Sequence, residues 1–244
     1  MRVAAIPPVL VLGWFTLVPA VGAHGAPAAP RSEAIQIRFG WFWPAGGGEL
    51  WDTNEQVFTL EASDLDGFTL GLGYLHSIGN VAEIGAGVEF YEETALSRYA
   101  DFVDESGFGI YHDTELSLVP VTLDVRFLPG GRHRIRPGGR HVLKPVFYVG
   151  GGIGATFWEY AEAGDFLDFG AEPPVVFPGR FEDDGVAFEV HGVAGVELPL
   201  NPAVGFLIEA RYSAADDELE DDFAGLGDIE LGGASISGGF SFRF

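Results

Sequence analysis

The residues of this chain best suited to chemistry are few and scattered. Its 244 residues include six histidines and no cysteine, which excludes thiol nucleophiles, disulfides and cysteine-ligated metals. Hydrolysis by acyl transfer would need a nucleophile, a base and an orienting acid close together. His76 and Ser77 are adjacent, so on a strand they point to opposite faces. His112 with Asp113 lacks a neighbouring serine in sequence, although Ser97, Ser106 or Ser117 could approach it in space. His191 shares a face with Glu189 and Glu197 and reads as a histidine satisfied inside a fold. The acidic run DDELEDDF, Asp216 to Phe223, offers carboxylates to Ca²⁺ but lacks the spaced ligands and central glycine of an EF-hand. It is expected to be a solvated loop, with divalent cations as candidate partners of the acidic loops. His133 and His141 are flanked by arginines, which repel cations. Gly150, Gly152 and Gly154 lie inside a strand pattern with no helix after it, unlike a nucleotide loop. No catalytic set, metal or cofactor is expected.

Composition narrows the setting. A formal net charge of −23 opposes contact with phosphate backbones, so no nucleic-acid partner is expected. Residues 1–23 join a positive start at Arg2 to an apolar stretch and a small-residue end at Val21, Gly22 and Ala23, the pattern of a cleaved export signal. Residues 24–33 form a short leader of low complexity, and residues 34–244 are the remaining domain. No later segment reaches 18 consecutive apolar residues, and helical periodicity is hard to find.

What recurs is alternation over about 10 residues, the length of a tilted strand crossing a bilayer. Ile35, Ile37, Phe39, Trp41 and Trp43 share one face, against Gln36, Arg38, Gly40 and Phe42. FTLGLGYLH, VAEIGAGVEFY, LVPVTLDVRF, PVFYVGGGIGATFW, VAFEVHGVAGVEL and VGFLIEARYS repeat the pattern, and the terminal ASISGGFSFRF makes eight runs. In that tail Phe240, Phe242 and Phe244 stand on the apolar face, Ser241 and Arg243 on the other.

The second face decides which way the apolar one points. A soluble barrel would carry a heavily charged outer face. Here the non-apolar face is mostly Gly, Ser and Thr, with isolated charges of both signs: Arg38, Arg126, Arg211 and Arg243 against Glu83, Glu89, Asp124, Glu189, Glu197 and Glu209. Such a set suits a narrow lumen in which charges pair, because an unpaired buried charge is costly. Glycines on that face leave room for Tyr91 and Tyr148 across the lumen. The expectation is an all-β, eight-stranded antiparallel up-and-down transmembrane barrel.

Connection lengths alternate. Residues 44–66, 92–114, 159–185 and 214–232 are long, while SIGN and LNPA are short. With short turns on the periplasmic side and an even strand count, both termini fall there. Trp41, Trp43, Phe157, Phe188 and Tyr212 then sort to one rim, and Tyr74, Phe127, Phe147 and Phe206 to the other. The long connections hold 28 of the 36 acids against Arg98 and Arg180. Residues 128–144 instead hold Arg132, Arg134, Arg136, Arg140 and Lys144 with no acid. A molecule acidic outside and basic at the periplasmic face is expected, with the basic turn solvated, resting on the phospholipid headgroups of the inner leaflet or docking on an anionic envelope polymer.

The eight runs, the YVGGGIGATFW strand and the terminal FSFRF resemble the small outer-membrane barrels of Gram-negative-type bacteria, the OmpA transmembrane domain, OmpX and OmpW group. The resemblance covers roughly residues 34–244 and speaks to architecture rather than activity. It implies export to the bacterial outer membrane, contact with outer-membrane lipid, and recognition of Phe240, Phe242 and Phe244 by the barrel-assembly machinery. The function expected is a non-enzymatic, monomeric outer-membrane protein anchoring acidic extracellular loops for envelope integrity, adhesion or partner binding. The alternatives are a narrow OmpW-like channel for small solutes and, behind it, a lipid A-modifying barrel enzyme.

Overall fold

The computed structural model describes residues 31–244 except 133, 136–140 and 172. The expected export signal, residues 1–23, and most of the leader lie outside the described residues. In chain order the strands are β1 (Glu33–Pro44), β2 (Gly67–Ile78), β3 (Ala82–Val103), β4 (Gly109–Phe127), the two-residue β5 (Arg134–Ile135) and β6 (His141–Val142), β7 (Val146–Asp168), β8 (Val175–Pro199), β9 (Val204–Glu218), β10 (Asp228–Glu230) and β11 (Gly233–Arg243). Eight of them close a ring in the order β1-β2-β3-β4-β7-β8-β9-β11, with β11 returning antiparallel to β1. Closure leaves no free edge around the band that faces lipid. Phe242 pairs with Ile35 and Phe240 with Ile37, so the aromatic tail of the chain seals the barrel.

The alternating runs lie as the pattern requires. Ile35, Phe39, Trp41, Leu72, Tyr74, Leu123, Phe127, Phe147, Phe157, Phe188, Tyr212 and Phe240 are all exposed large apolar side chains on the outer wall. An encircling belt of this kind is stable only in lipid, so the barrel is a transmembrane one. Glycine facing the lumen makes the inward charges fit. A side chain at Gly150 or Gly152 would strike the β4 backbone, Arg126 or His191, and one at Gly195 would strike the Tyr148 ring.

The long connections are not the solvated loops expected. β3, β4, β7 and β8 run 22, 19, 23 and 25 residues, about twice the 12 residues of β1 and β2. One wall therefore rises well above the belt at the long-loop end. The cause is legible on β4. Inside the belt Val119, Val121, Leu123, Val125 and Phe127 point out, while Thr122, Asp124 and Arg126 point in. Above it the same outward positions carry Asp113, Glu115 and Ser117, and the buried inward ones carry Leu116 and Leu118. The strand does not change phase; its apolar face changes sides where lipid gives way to water.

A second departure is helical. The first long connection contains α1 (Glu49–Val57), which buries Leu50, Trp51 and Asn54, and a 3₁₀ turn over Ala62–Leu65. Its one-sided apolar pattern is too short to stand out as periodicity. The last long connection adds a 3₁₀ turn over Asp221–Phe223 that buries Phe223. These pieces fold over the raised wall. Leu50, Trp51, Leu60, Leu65, Leu219, Phe223 and Ile229 join Tyr91, Leu116, Leu118, Trp158 and Tyr160 in one apolar core.

Candidate functional site: the barrel interior

The interior has two parts. At the short-turn end the inward charges form three groups of ion pairs. Arg243 on β11 meets Glu197 on β8 at 2.9 Å and Glu83 on β3 at 3.2 Å. Glu209 on β9 receives Arg126 at 2.8 Å and Arg38 at 3.6 Å, and Tyr148 donates its hydroxyl to the same carboxylate at 2.9 Å. The Arg126 guanidinium also lies over the Tyr148 ring, 4.8 Å from its centroid, and donates to Gln36. Farther along, His191 stands between two carboxylates, Nε2 at 2.8 Å from Asp124 and Nδ1 at 3.1 Å from Glu189. Arg211 reaches the same two carboxylates at 3.5 and 3.6 Å, and Thr156 donates to Glu189 at 2.7 Å.

Nine of the ten charges singled out in the sequence take part in these pairs. Glu89 does not. It faces the lumen half-buried and lines a cavity of about 30 Å³ with Tyr91, Glu189 and Arg211, without an ion pair among the described residues. Glu89 stands where the charged half meets the apolar one, and Arg211, which lines the same cavity, is engaged with Asp124 and Glu189 instead.

Arg132 moves the other way. Its place in the sequence is a basic turn expected at the membrane surface, yet its side chain is buried, with Nε 2.8 Å from Glu83 and Nη1 3.1 Å from Glu197. Two carboxylates facing a single Arg243 leave a charge uncompensated, and Arg132 supplies it. The turn places it there: Gly131 adopts φ +63°, and Arg132 N donates to the Asn80 carbonyl of the facing turn at 2.8 Å. Linear spacing carries no trace of this pairing. The side chains of His133, Arg134, Arg136, Arg140 and His141 lie outside the described residues.

At the long-loop end the interior is apolar with a polar spine. Asn54 on α1 donates to the Tyr160 hydroxyl at 2.8 Å, and that hydroxyl donates to Glu162 at 2.6 Å. Burial raises the Glu162 carboxyl and holds the Tyr160 phenol well above its ordinary range. Trp158 donates its indole N–H to Asp217 at 2.9 Å. Asp217 thus secures a wall, and Asp222 of the same acidic run accepts from the Glu182 backbone N–H at 3.1 Å. Leu219 and Phe223 of that run are core residues, which corrects its reading as a solvated loop. Among the described residues no three of His, Asp and Glu gather where a metal ion could sit.

The catalytic candidates do not assemble. Ser97 on β3 pairs directly opposite His112 on β4, and both are buried. Among the described residues, neither ring nitrogen of His112 nor the Ser97 hydroxyl has a hydrogen-bond partner. Instead Phe58 packs edge-on at 4.4 Å and Phe166 stacks at 5.2 Å from the His112 ring. Burial in this nest pushes the His112 pKa down to about 4. Ser117 points to the opposite face, and Ser106 lies in the β3–β4 turn. At the other end His76 and Tyr74 both hydrogen-bond Glu33, and Ser77 donates to Glu83.

The fold is a transmembrane barrel of the small eight-stranded type, its interior lined by ion pairs at one end and by an apolar core at the other. Solved structures that align with it include Neisserial surface protein A, at 10% identity over 87% of this chain and 97% of that one, TM-score 0.44. The outer membrane protein OprG from Pseudomonas aeruginosa aligns at 12% identity over 87% and 95%, TM-score 0.48. A major outer membrane protein from Thermus thermophilus aligns at 13% over 87% and 100%, TM-score 0.46. No protein-family model and no curated protein matches the sequence.

Proposed function

We propose that this protein is a non-enzymatic bacterial outer-membrane anchor. Its barrel holds a rigid, acidic extracellular superstructure for contact with partners at the cell surface. The observation that carries this reading is the filled interior. Ion pairs occupy one half, a packed apolar core the other, and the cavity between them has room for one or two water molecules. A conducting pore would need a continuous wet path; a catalyst would need reachable polar groups, and His112 and Ser97 are closed off. A long-loop end rich in carboxylates and a short-turn end bearing the described strand termini match the usual orientation of such barrels, with the acids outside. In this reading the lipid belt contacts outer-membrane lipid, the protein acts as a monomer, and Phe240, Phe242 and Phe244 address the assembly machinery.

Planar-bilayer recording tests it, with protein shown to be folded by different migration of boiled and unboiled samples. A silent bilayer is expected. Stable unitary openings would overturn the plugged-anchor reading in favour of a narrow channel.

A further inference from the structure

The raised wall ends in two hairpin tips that carry aromatic residues in water. Phe102 is the penultimate residue of β3, Phe108 lies in the turn before β4, and Phe169 follows β7; they are 43, 71 and 55% exposed. None belongs to the lipid belt. Phe102 stands 12 residues beyond the belt residue Phe90, a path of about 40 Å at strand rise. The tips are held together. The Phe102 and Phe169 rings meet edge-on at 5.3 Å, Tyr99 packs on Phe102, and the Tyr99 hydroxyl accepts the Leu167 backbone N–H at 3.2 Å. The patch therefore costs little further ordering when something lands on it.

Its rim selects the partner. Asp101, Asp104 and Asp168 border the aromatics, and each of the latter two uses one oxygen to accept backbone N–H groups of its own turn. The long connections as a whole hold 28 acids in sequence against Arg98 and Arg180, which makes the long-loop end strongly acidic. That field repels an anionic membrane, a second copy of this chain and any acidic protein, and it attracts Lys and Arg. Exposed phenylalanine faces add cation–π attraction and apolar contact for the same partner.

We propose that the paired tips of β3–β4 and β7–β8 form one docking surface for a cationic amphipathic polypeptide, with Phe102, Phe108 and Phe169 as anchors and the carboxylates as the steering rim. The proposal rests on the reading of the long-loop end as the outward one.

The test uses the full chain in zwitterionic nanodiscs, empty discs as control, and fluorescent peptides of alternating Lys and Leu or, at equal charge, of Lys and Ser. The Lys/Leu peptide is expected to bind about tenfold more tightly. Joint replacement F102S, F108S and F169S is expected to remove about that tenfold, as loss of anchor residues does. Neutralising the distant pair Asp216→Asn and Glu218→Asn should change binding by less than about twofold, because only screened long-range charge is lost. Equal binding of the two peptides, or unaltered binding by the folded aromatic variant, overturns the docking surface. Orientation is read separately. The chain has no cysteine, so Ser106→Cys gives one label site at a tip. Labelling of intact cells by an impermeant maleimide supports the outward reading, and failure to label overturns it whatever the peptides do.

Discussion

The two halves of the barrel interior solve one packing problem by opposite means. Where lipid surrounds the wall, the outer face must be apolar, so the lumen takes the polar residues and neutralises them as pairs: Arg38 and Arg126 on Glu209, Arg132 and Arg243 on Glu83 and Glu197, Arg211 on Asp124 and Glu189. Where water surrounds the wall, the outer face carries the charges and the inside packs Leu116, Leu118, Trp158 and Tyr160 against α1 as a soluble domain would. The contrast teaches that alternation alone does not say what is inside. The solvent outside does. It also predicts different failures, because a buried charge without its partner is penalised everywhere nearby, whereas a lost apolar contact is penalised locally.

The largest effect should come from Glu209→Ala, which leaves Arg38 and Arg126 facing each other in the lumen. A loss of about 3–5 kcal/mol is expected in urea unfolding of the folded protein. Trp51→Ala should cost about 3 kcal/mol or somewhat more, but through the cap alone. Added protease should cut the first long connection while the barrel keeps its unboiled migration. Unfolding of the whole barrel by Trp51→Ala would show instead that the halves form one cooperative unit. Arg132→Ala should be milder, about 1–3 kcal/mol, because Arg243 still touches both Glu83 and Glu197; its urea midpoint should fall between those of wild type and Glu209→Ala.

The nest around His112 adds a pH dependence to the apolar half. Its pKa lies near 4, against 6.5 for an unperturbed ring, so the closed cap prefers the neutral imidazole. The stabilisation is complete above pH 6.5, falls as acid protonates the open form, and levels off near pH 4. Hydrogen exchange at the Phe58 and Thr59 amides should accelerate over that window relative to His112→Phe, which lacks the titrating group. Parallel pH profiles for the two proteins would break the argument. The smallest change in equilibrium stability is expected on deleting Phe244, about 0.5 kcal/mol or less. Its side chain is exposed, and what is lost is its backbone pair with Glu33. If the residue is an assembly address, the yield of folded barrel in cells should nevertheless fall severalfold.

Much of this was legible along the chain. Period-two alternation places every residue on one of two faces, so Arg38, Glu83, Asp124, Arg126, Glu189, Glu197, Glu209, Arg211 and Arg243 could be assigned to the lumen before any strand was paired. Glycines on that same face marked where the large groups would fit, and the spacing of the runs implied the strand count. Which charges meet was not legible, because pairing joins β3, β8 and β11 across the barrel and depends on register and curvature. Arg132 and Glu89 show the limit from both sides: an arginine drawn from a turn into the lumen, and a lumen glutamate without an ion pair among the described residues because the arginine beside it, Arg211, meets Asp124 and Glu189. The strand extensions lay partly within reach, since Leu116 and Leu118 followed by Val119 and Val121 record the apolar face changing sides. The sequence alone determined a closed, lipid-facing barrel with an acidic end, because those follow from side-chain alternation and composition. Tertiary structure alone decided that the acidic end is a packed, raised wall capped by α1, because a core exists only when distant segments bury the same apolar surface together.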